Sequence, residues 1–144
     1  MRRRQTIVVL ALVGLLVATY LWLYKIGVIG VLQCGTGGCE AVQASRYAEL
    51  LGVPVAFVGV AGYALLLGVG LVGIQPAFAT DRRVALVLAA LATAGFAFAL
   101  YLTAIELFVL HSICRWCVAS AVIITAIWML ALGGLRHAPP TPTR

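Results

Sequence analysis

The chain has 144 residues, 64% of them hydrophobic and 10% charged, with a net charge of +6 and a mean hydropathy of +1.12. A soluble domain is nearer half apolar and about a quarter charged, so a soluble enzyme, a nucleic-acid-binding module and a disordered chain are all excluded. The basic residues do not cluster as a nucleic-acid patch would; they punctuate long apolar runs, the pattern of an integral membrane protein.

A spanning helix needs about 20 mostly apolar residues to cross roughly 30 Å of hydrocarbon. The first such run follows Arg2, Arg3 and Arg4 and extends from about Ile7 to Leu32, broken only by Lys25. It is too long for a secretory signal core, and Gln33 before Cys34 does not suit a lipoprotein cleavage site, so the helix is expected to stay. The segment Gln33–Gly52 follows, with Cys34 and Cys39 separated by Gly35-Thr36-Gly37-Gly38, a stretch expected to bend freely. Val42, Leu50 and Leu51 with Arg46 and Glu49 suit a short interfacial helix lidding a pocket, and Ser45 reads as a capping residue.

The second span is expected over about Val53–Ile74, with Pro54 where a first-turn proline is tolerated. Arg82 and Arg83 lead into a third span, Val84–Leu110, whose one acid is Glu106. That carboxylate is costly in hydrocarbon unless paired or near water, so it either serves a site or meets a basic residue at the surface. After the turn at His111-Ser112, the fourth span runs over about Ile113–Leu135 and opens with Cys114-Arg115-Trp116-Cys117. His111 reads as a solvated histidine or a proton relay; Phe57 and Trp116 read as interface anchors or pocket walls. Long runs without period-two alternation exclude a barrel. The expected fold is an all-α four-transmembrane-helix bundle with a short outer interfacial helix, a membrane domain over residues 1–137 and a disordered tail over 138–144.

Arginines at the N-terminus, at positions 82 and 83 and at positions 136 and 144 fall on one side after four crossings, which makes that side cytoplasmic. Both termini are then inside, and both cysteine pairs lie on the oxidising side where disulfides persist. Cys114 and Cys117 sit at a helix start, where free N–H groups, the dipole and Arg115 favour a thiolate. A disulfide in such a place is usually reducible rather than structural. Structural staples and a four-cysteine zinc site are the alternatives, although staples are chiefly a need of small soluble domains and such zinc sites of soluble folds.

Taken in order, the loop pair ending in Cys39-Glu40, then Ser45, Leu51-Gly52-Val53-Pro54, Tyr101-Leu102, and Glu106-Leu107-Phe108-Val109-Leu110 running into Cys114-Arg115-Trp116-Cys117 resemble the bacterial branch of the vitamin K epoxide reductase family. The likeness covers about residues 7–135. It implies a four-helix bundle holding a quinone, ubiquinone or menaquinone, and reoxidising a thioredoxin-fold, DsbA-like exported protein. Many bacterial members carry that thioredoxin-like domain fused; this sequence carries none, so a separate partner is expected, in the cytoplasmic membrane of a bacterium. The resemblance implies that Cys34 exchanges with the partner, that Cys39 attacks Cys114, and that Cys117 passes electrons to the quinone. Ser45 matches a serine supporting the quinone site. Phe57 and Trp116 are candidates for its walls, and Ala121 stands where vertebrate members have a quinone-bonding tyrosine. An asparagine of vertebrate members is also missing, the nearest equivalent being about Val55, so epoxide reduction does not carry over. The quinone-linked oxidase of DsbB type is similar in function, but there the Cys-X-X-Cys comes first.

Glu106 could tune Cys114 or carry protons to the reduced quinone. The competing class is a small structural membrane protein or complex subunit with structural disulfides; a transporter is disfavoured because the spans hold few polar residues. No nucleic acid is expected as a partner and no metal as a cofactor; the surrounding lipid is the other expected partner.

Overall fold

A computed structural model describes residues 2–35 and 38–140. Among these described residues, four helices are long and apolar enough to cross a membrane: α1 (Arg2–Lys25), α3 (Val55–Ile74), α4 (Arg82–Ile105) and α5 (Arg115–Arg136), with a short α2 (Gly38–Ala44) between the first two. The fold is the all-α membrane bundle that the apolar runs require. Around its ring, α1 packs on α3 and α5, α4 packs on α5, and α3 meets α4 less extensively.

Small residues set the spacing, as they do where lipid removes the hydrophobic drive between helices. Ala11 and Ala92 are fully buried in a core shared with Ile7, Leu66, Leu88 and Ile127. Gly14 takes the Tyr63 ring so closely that a Cβ there would overlap it, and a Cβ on Gly70 would stand 2.9 Å from Val8. The outward faces carry Leu12, Leu16, Leu65, Leu86, Leu100, Val122 and Met129, the apolar surface that a hydrocarbon shell covers.

The bounds of the first helix depart from expectation. The first helix begins at Arg2 and stops at Lys25 instead of running from Ile7 to Leu32. Apolar residues continue, but Gly27 adopts a left-handed φ of 83°, and the Gly27, Val28 and Ile29 N–H groups donate back to carbonyls of the last turn. This is a glycine-terminated helix end. At the opposite end of the bundle Arg4 donates to the Gly73 and Phe78 carbonyls at 2.7 and 2.8 Å, fastening α1 to the end of α3. Asp81 caps α4 by accepting from the Arg83 N–H at 2.8 Å.

The expected interfacial helix over Val42–Leu51 is likewise shifted. α2 ends at Ala44; Arg46–Ala48 forms one tight turn, and Glu49–Leu50 (β1) pairs antiparallel with Val53–Pro54 (β2). Leu51 and Gly52, both at positive φ, make the hairpin turn, and Leu51 is 99% exposed. Of the tail expected over 138–144, residues 141–144 lie outside the described residues, as do Met1, Thr36 and Gly37.

Candidate redox site

All four cysteines lie at one end of the bundle, where α1 and α4 end and α3 and α5 begin. Cys34 and Cys39 are joined as a disulfide with Cα atoms 6.1 Å apart. Of the stretch expected to bend freely, Thr36 and Gly37 lie outside the described residues, while its two ends are packed into the protein. Cys39 is helical, in the first turn of α2, and Cys34 and Cys39 are only 3% and 0% exposed. The reason is tertiary: Gly38 lies against the Ile113 carbonyl so tightly that no Cβ would fit, which seats α2 on the segment leading into α5. Cys34, Cys39 and Cys114 share one buried cluster with Leu21, Leu32 and Ala56. The segment before Cys34 is pinned as well. The Gln33 N–H donates to the Tyr20 hydroxyl at 3.0 Å, the Trp116 indole N–H donates to the Gln33 carbonyl at 3.3 Å, and the Tyr20 and Trp116 rings pack at 5.0 Å.

Cys114 and Cys117 carry free thiols. Cys114 is the N-cap of α5, its sulfur accepting from the Cys117 N–H at 3.4 Å. A hydrogen bond from the Cys117 thiol, aided by N–H groups of the helix start, holds the Cys114 thiol below its ordinary range against the opposing effect of burial. Of the two thiols, Cys114 is the one whose sulfur accepts from N–H groups at this helix start.

Glu106 is 6% exposed. It starts a wider, π-helical turn over Glu106–Leu110 that closes at His111 with a left-handed φ of 50°, and such turns re-aim side chains at functional sites. Its Oε2 accepts from the Cys114 N–H at 3.2 Å, and its carboxyl group is within hydrogen-bonding reach of the Cys117 thiol. The expected alternative, pairing with a basic surface residue, is absent among the described residues: the one ion pair there joins Lys25 to Glu49 at 3.4 Å. His111 is exposed and turns the chain; it is not on the cavity wall described next.

Cys117 opens on a cavity of about 300 Å³ walled by α1, α3, α4 and α5, with Ala18, Gly59, Gly62, Phe98 and Leu102 among its apolar lining. Its polar groups are few: Gln43, Tyr63, Thr103, Glu106, Cys117 and Ser120. An apolar slot with a few convergent polar groups, at the lower end of ligand-cavity volumes, fits a flat apolar dicarbonyl such as a quinone ring. Glycine and alanine on facing helices leave the width for it.

Ala121 and Glu106 thus meet Cys117 at the cavity, while Ser45, Phe57 and Trp116 lie off its wall. Ser45 donates to the Val42 carbonyl at 2.7 Å in the turn ending α2. Phe57 packs on Trp22 at 5.2 Å, because helical phase turns it away from Ala56 and Gly59. Trp116 precedes Cys117 by one residue, about 100° around the helix, and faces Tyr20. Gln43 was not singled out from the sequence. It is 7% exposed, and its Nε2 lies 3.8 Å from the Cys117 sulfur. Its spacing of four from Cys39 was the available signal, since both then share one face of a helix. The Tyr63–Ser120 hydrogen bond at 2.9 Å carried no local signal. Compared with models of known families, residues 5–132 match that of the Vitamin K epoxide reductase family.

Proposed function

The chain belongs to the vitamin K epoxide reductase family of membrane thiol oxidoreductases, and on that premise we propose that it reoxidises an exported thioredoxin-fold, DsbA-like dithiol module and delivers the electrons to a membrane quinone. The observation carrying this reading is the division of the second pair. Cys114 is buried in the same cluster as Cys39, whereas Cys117 opens on the apolar cavity.

The electron balance is as follows. The partner's two thiols are oxidised to its disulfide as the Cys34–Cys39 bond is reduced, through a mixed disulfide at Cys34. The Cys39 thiolate then attacks Cys114 of a Cys114–Cys117 disulfide, forming a Cys39–Cys114 bond and releasing the Cys117 thiolate. Attack by Cys34 on Cys39 restores the loop disulfide and leaves Cys114 and Cys117 reduced, the arrangement of thiols and disulfide described above. A bound quinone supplies the terminal acceptor of two electrons and two protons, and the second pair returns to its disulfide. Cys114 is a good leaving group in the second exchange, when Cys34 displaces it from Cys39, because its thiol is lowered. Glu106, touching both Cys114 and Cys117, holds the proton that leaves Cys117, and the apolar wall excludes water from the exchange.

The arginine-rich end is the cytoplasmic one in this reading and the cysteine end faces outward, in the cytoplasmic membrane of a bacterium. Ser45 supports the end of α2, Trp116 the segment before Cys34, and Phe57 packs on Trp22 of α1, all three outside the quinone wall. The test is Cys117→Ala: the Cys114 thiolate, left without its neighbour, is expected to attack Cys39 of the Cys34–Cys39 disulfide and release Cys34 as a thiol, so that a Cys39–Cys114 bridge accumulates in the oxidised protein and is read by alkylation, non-reducing electrophoresis and peptide mapping. Only Cys34–Cys39 disulfide or free thiols under the same treatment would overturn the relay.

A further inference from the structure

A quinone carbonyl oxygen accepts hydrogen bonds and cannot donate them, and it gains negative charge as electrons arrive, so an oriented N–H or O–H donor at that oxygen is worth more during reduction than before it. Few groups of the cavity answer this need. Until it takes the proton from Cys117, the Glu106 carboxylate is an acceptor, and it already takes the Cys114 N–H. The Tyr63 and Ser120 hydroxyls are hydrogen-bonded to each other at 2.9 Å, and Tyr63 also reaches the Ser120 carbonyl. Gln43 remains. Its Nε2 carries two N–H groups, of which one is directed at the Cys117 sulfur at 3.8 Å. The side chain lines the cavity while being 7% exposed overall.

Gln43 is also held where a donor must be held. Its backbone carbonyl accepts from Lys25 Nζ at 2.9 Å, and Lys25 in turn pairs with Glu49. α2 is thereby tied to the end of α1 on one side and to the start of α5 through Gly38 on the other. Cys39 and Gln43 stand four residues apart on α2, and Cys114 and Cys117 three apart at the start of α5. One short helix therefore presents a sulfur to the first cysteine of the motif and an amide to the second.

We propose that the Gln43 side-chain amide is the hydrogen-bond donor that orients a quinone carbonyl oxygen beside Cys117. This role rests on the quinone-reducing function proposed above and adds a positioning group contributed by the element that carries Cys39. It moves no electrons or protons itself: it polarises the carbonyl, stabilises charge on the oxygen, and in the quinone's absence turns to the Cys117 sulfur.

The experiment uses the full chain in lipid nanodiscs, oxidised so that no turnover occurs, loaded with a short-chain quinone isotopically labelled at its carbonyl carbons. Infrared difference spectra are expected to show a bound carbonyl stretch lowered relative to the free quinone in wild type. That lowering is expected to be lost in Gln43→Leu, partly kept in Gln43→Asn, and unchanged in Thr103→Val. In turnover with a dithiol donor, Gln43→Leu is expected to lose about 10- to 100-fold in kcat/KM for quinone, the scale of one hydrogen bond to a charged group. The Cys39–Cys114 bridge should still form when Gln43→Leu is combined with Cys117→Ala, which separates loss of the donor from collapse of α2. An unshifted carbonyl in wild type, the same shift in Gln43→Leu as in wild type, or a shift lost in Thr103→Val instead would overturn the assignment. A wild type that neither binds nor reduces quinone would overturn the function on which it rests, whereas normal turnover with an unaffected Gln43→Leu spectrum would remove only the Gln43 role.

Discussion

Glu106 offers the sharpest separation of architecture from chemistry, because one carboxyl group performs two tasks that two substitutions divide. Its Oε2 is the acceptor for the buried Cys114 N–H, at the point where α5 begins. Glu106→Leu leaves that N–H without a partner. A buried donor so orphaned costs about 1–3 kcal/mol, and the chain should lose about that much stability. Glu106→Gln keeps an oxygen acceptor of nearly the same reach and should stay within about 1 kcal/mol of wild type, since the bond changes from charged to neutral. Both variants remove the group that holds the Cys117 proton, so both should lose about 10²- to 10⁴-fold in quinone turnover, the usual range for general acid–base participation. Reversible unfolding in mixed micelles reads the first effect, and anaerobic quinone reduction with dithiothreitol as donor reads the second. Wild-type turnover in Glu106→Gln would refute the proton-holding role. A Glu106→Leu protein as stable as wild type would refute the claim that this carboxyl anchors the start of α5.

Other consequences can be measured directly. In Cys117→Ala the strongest influence lowering Cys114 is gone, so ultraviolet thiolate absorbance of the reduced protein should titrate closer to the ordinary thiol value of about 8.5. The stability that the lowered Cys114 pKa gives the reduced wild type is present above that ordinary value and lost as pH falls through the lowered one; it should be weaker in the variant. Failure of the titration to move would remove Cys117 as the cause. Trp116→Leu deletes the indole N–H that pins the Gln33 carbonyl; the Cys34–Cys39 disulfide should then react faster with a soluble thiol, at unchanged quinone affinity. Slower or equal exchange would place the barrier at Cys34 elsewhere. Gly14→Ala forces a methyl group into the Tyr63 ring and should destabilise by about 1–3 kcal/mol. Gly62→Ala, with nothing within 4 Å of its Cβ, should be neutral or slightly stabilising.

The elements most legible in the sequence were those decided by one strong local quantity. Four apolar runs of membrane length have no alternative fold in hydrocarbon, so three of the four spans fall within a few residues of expectation. The end of α1 was concealed because hydropathy continues through Ile26–Leu32 while the backbone turns at Gly27. The seat of Cys39 was not legible, because it rests on the close approach of Gly38 to Ile113, a contact between residues distant in sequence. Glu106 stood out as a lone acid in a span, and the structure turns it onto both Cys114 and Cys117. Gln43 did not stand out, since one glutamine in a short amphipathic segment reads as solvated until α5 covers it. Phe57 and Trp116 show the converse: an aromatic at a membrane boundary suits a pocket or an anchor equally, and helical phase together with the rings of Trp22 and Tyr20 decides between them.

The central claim is that electrons leave the chain through Cys117 to a quinone. Protein with all four cysteines reduced, freed of reductant and mixed anaerobically with a short-chain quinone, is therefore the direct test, with quinol formed and thiols remaining counted together. The wild type should form quinol while its thiols become disulfides in equal number, and Cys117→Ala, confirmed folded, should form none. Quinol formation by Cys117→Ala at the wild-type rate, or thiols that persist in the wild type beside excess quinone, would contradict it.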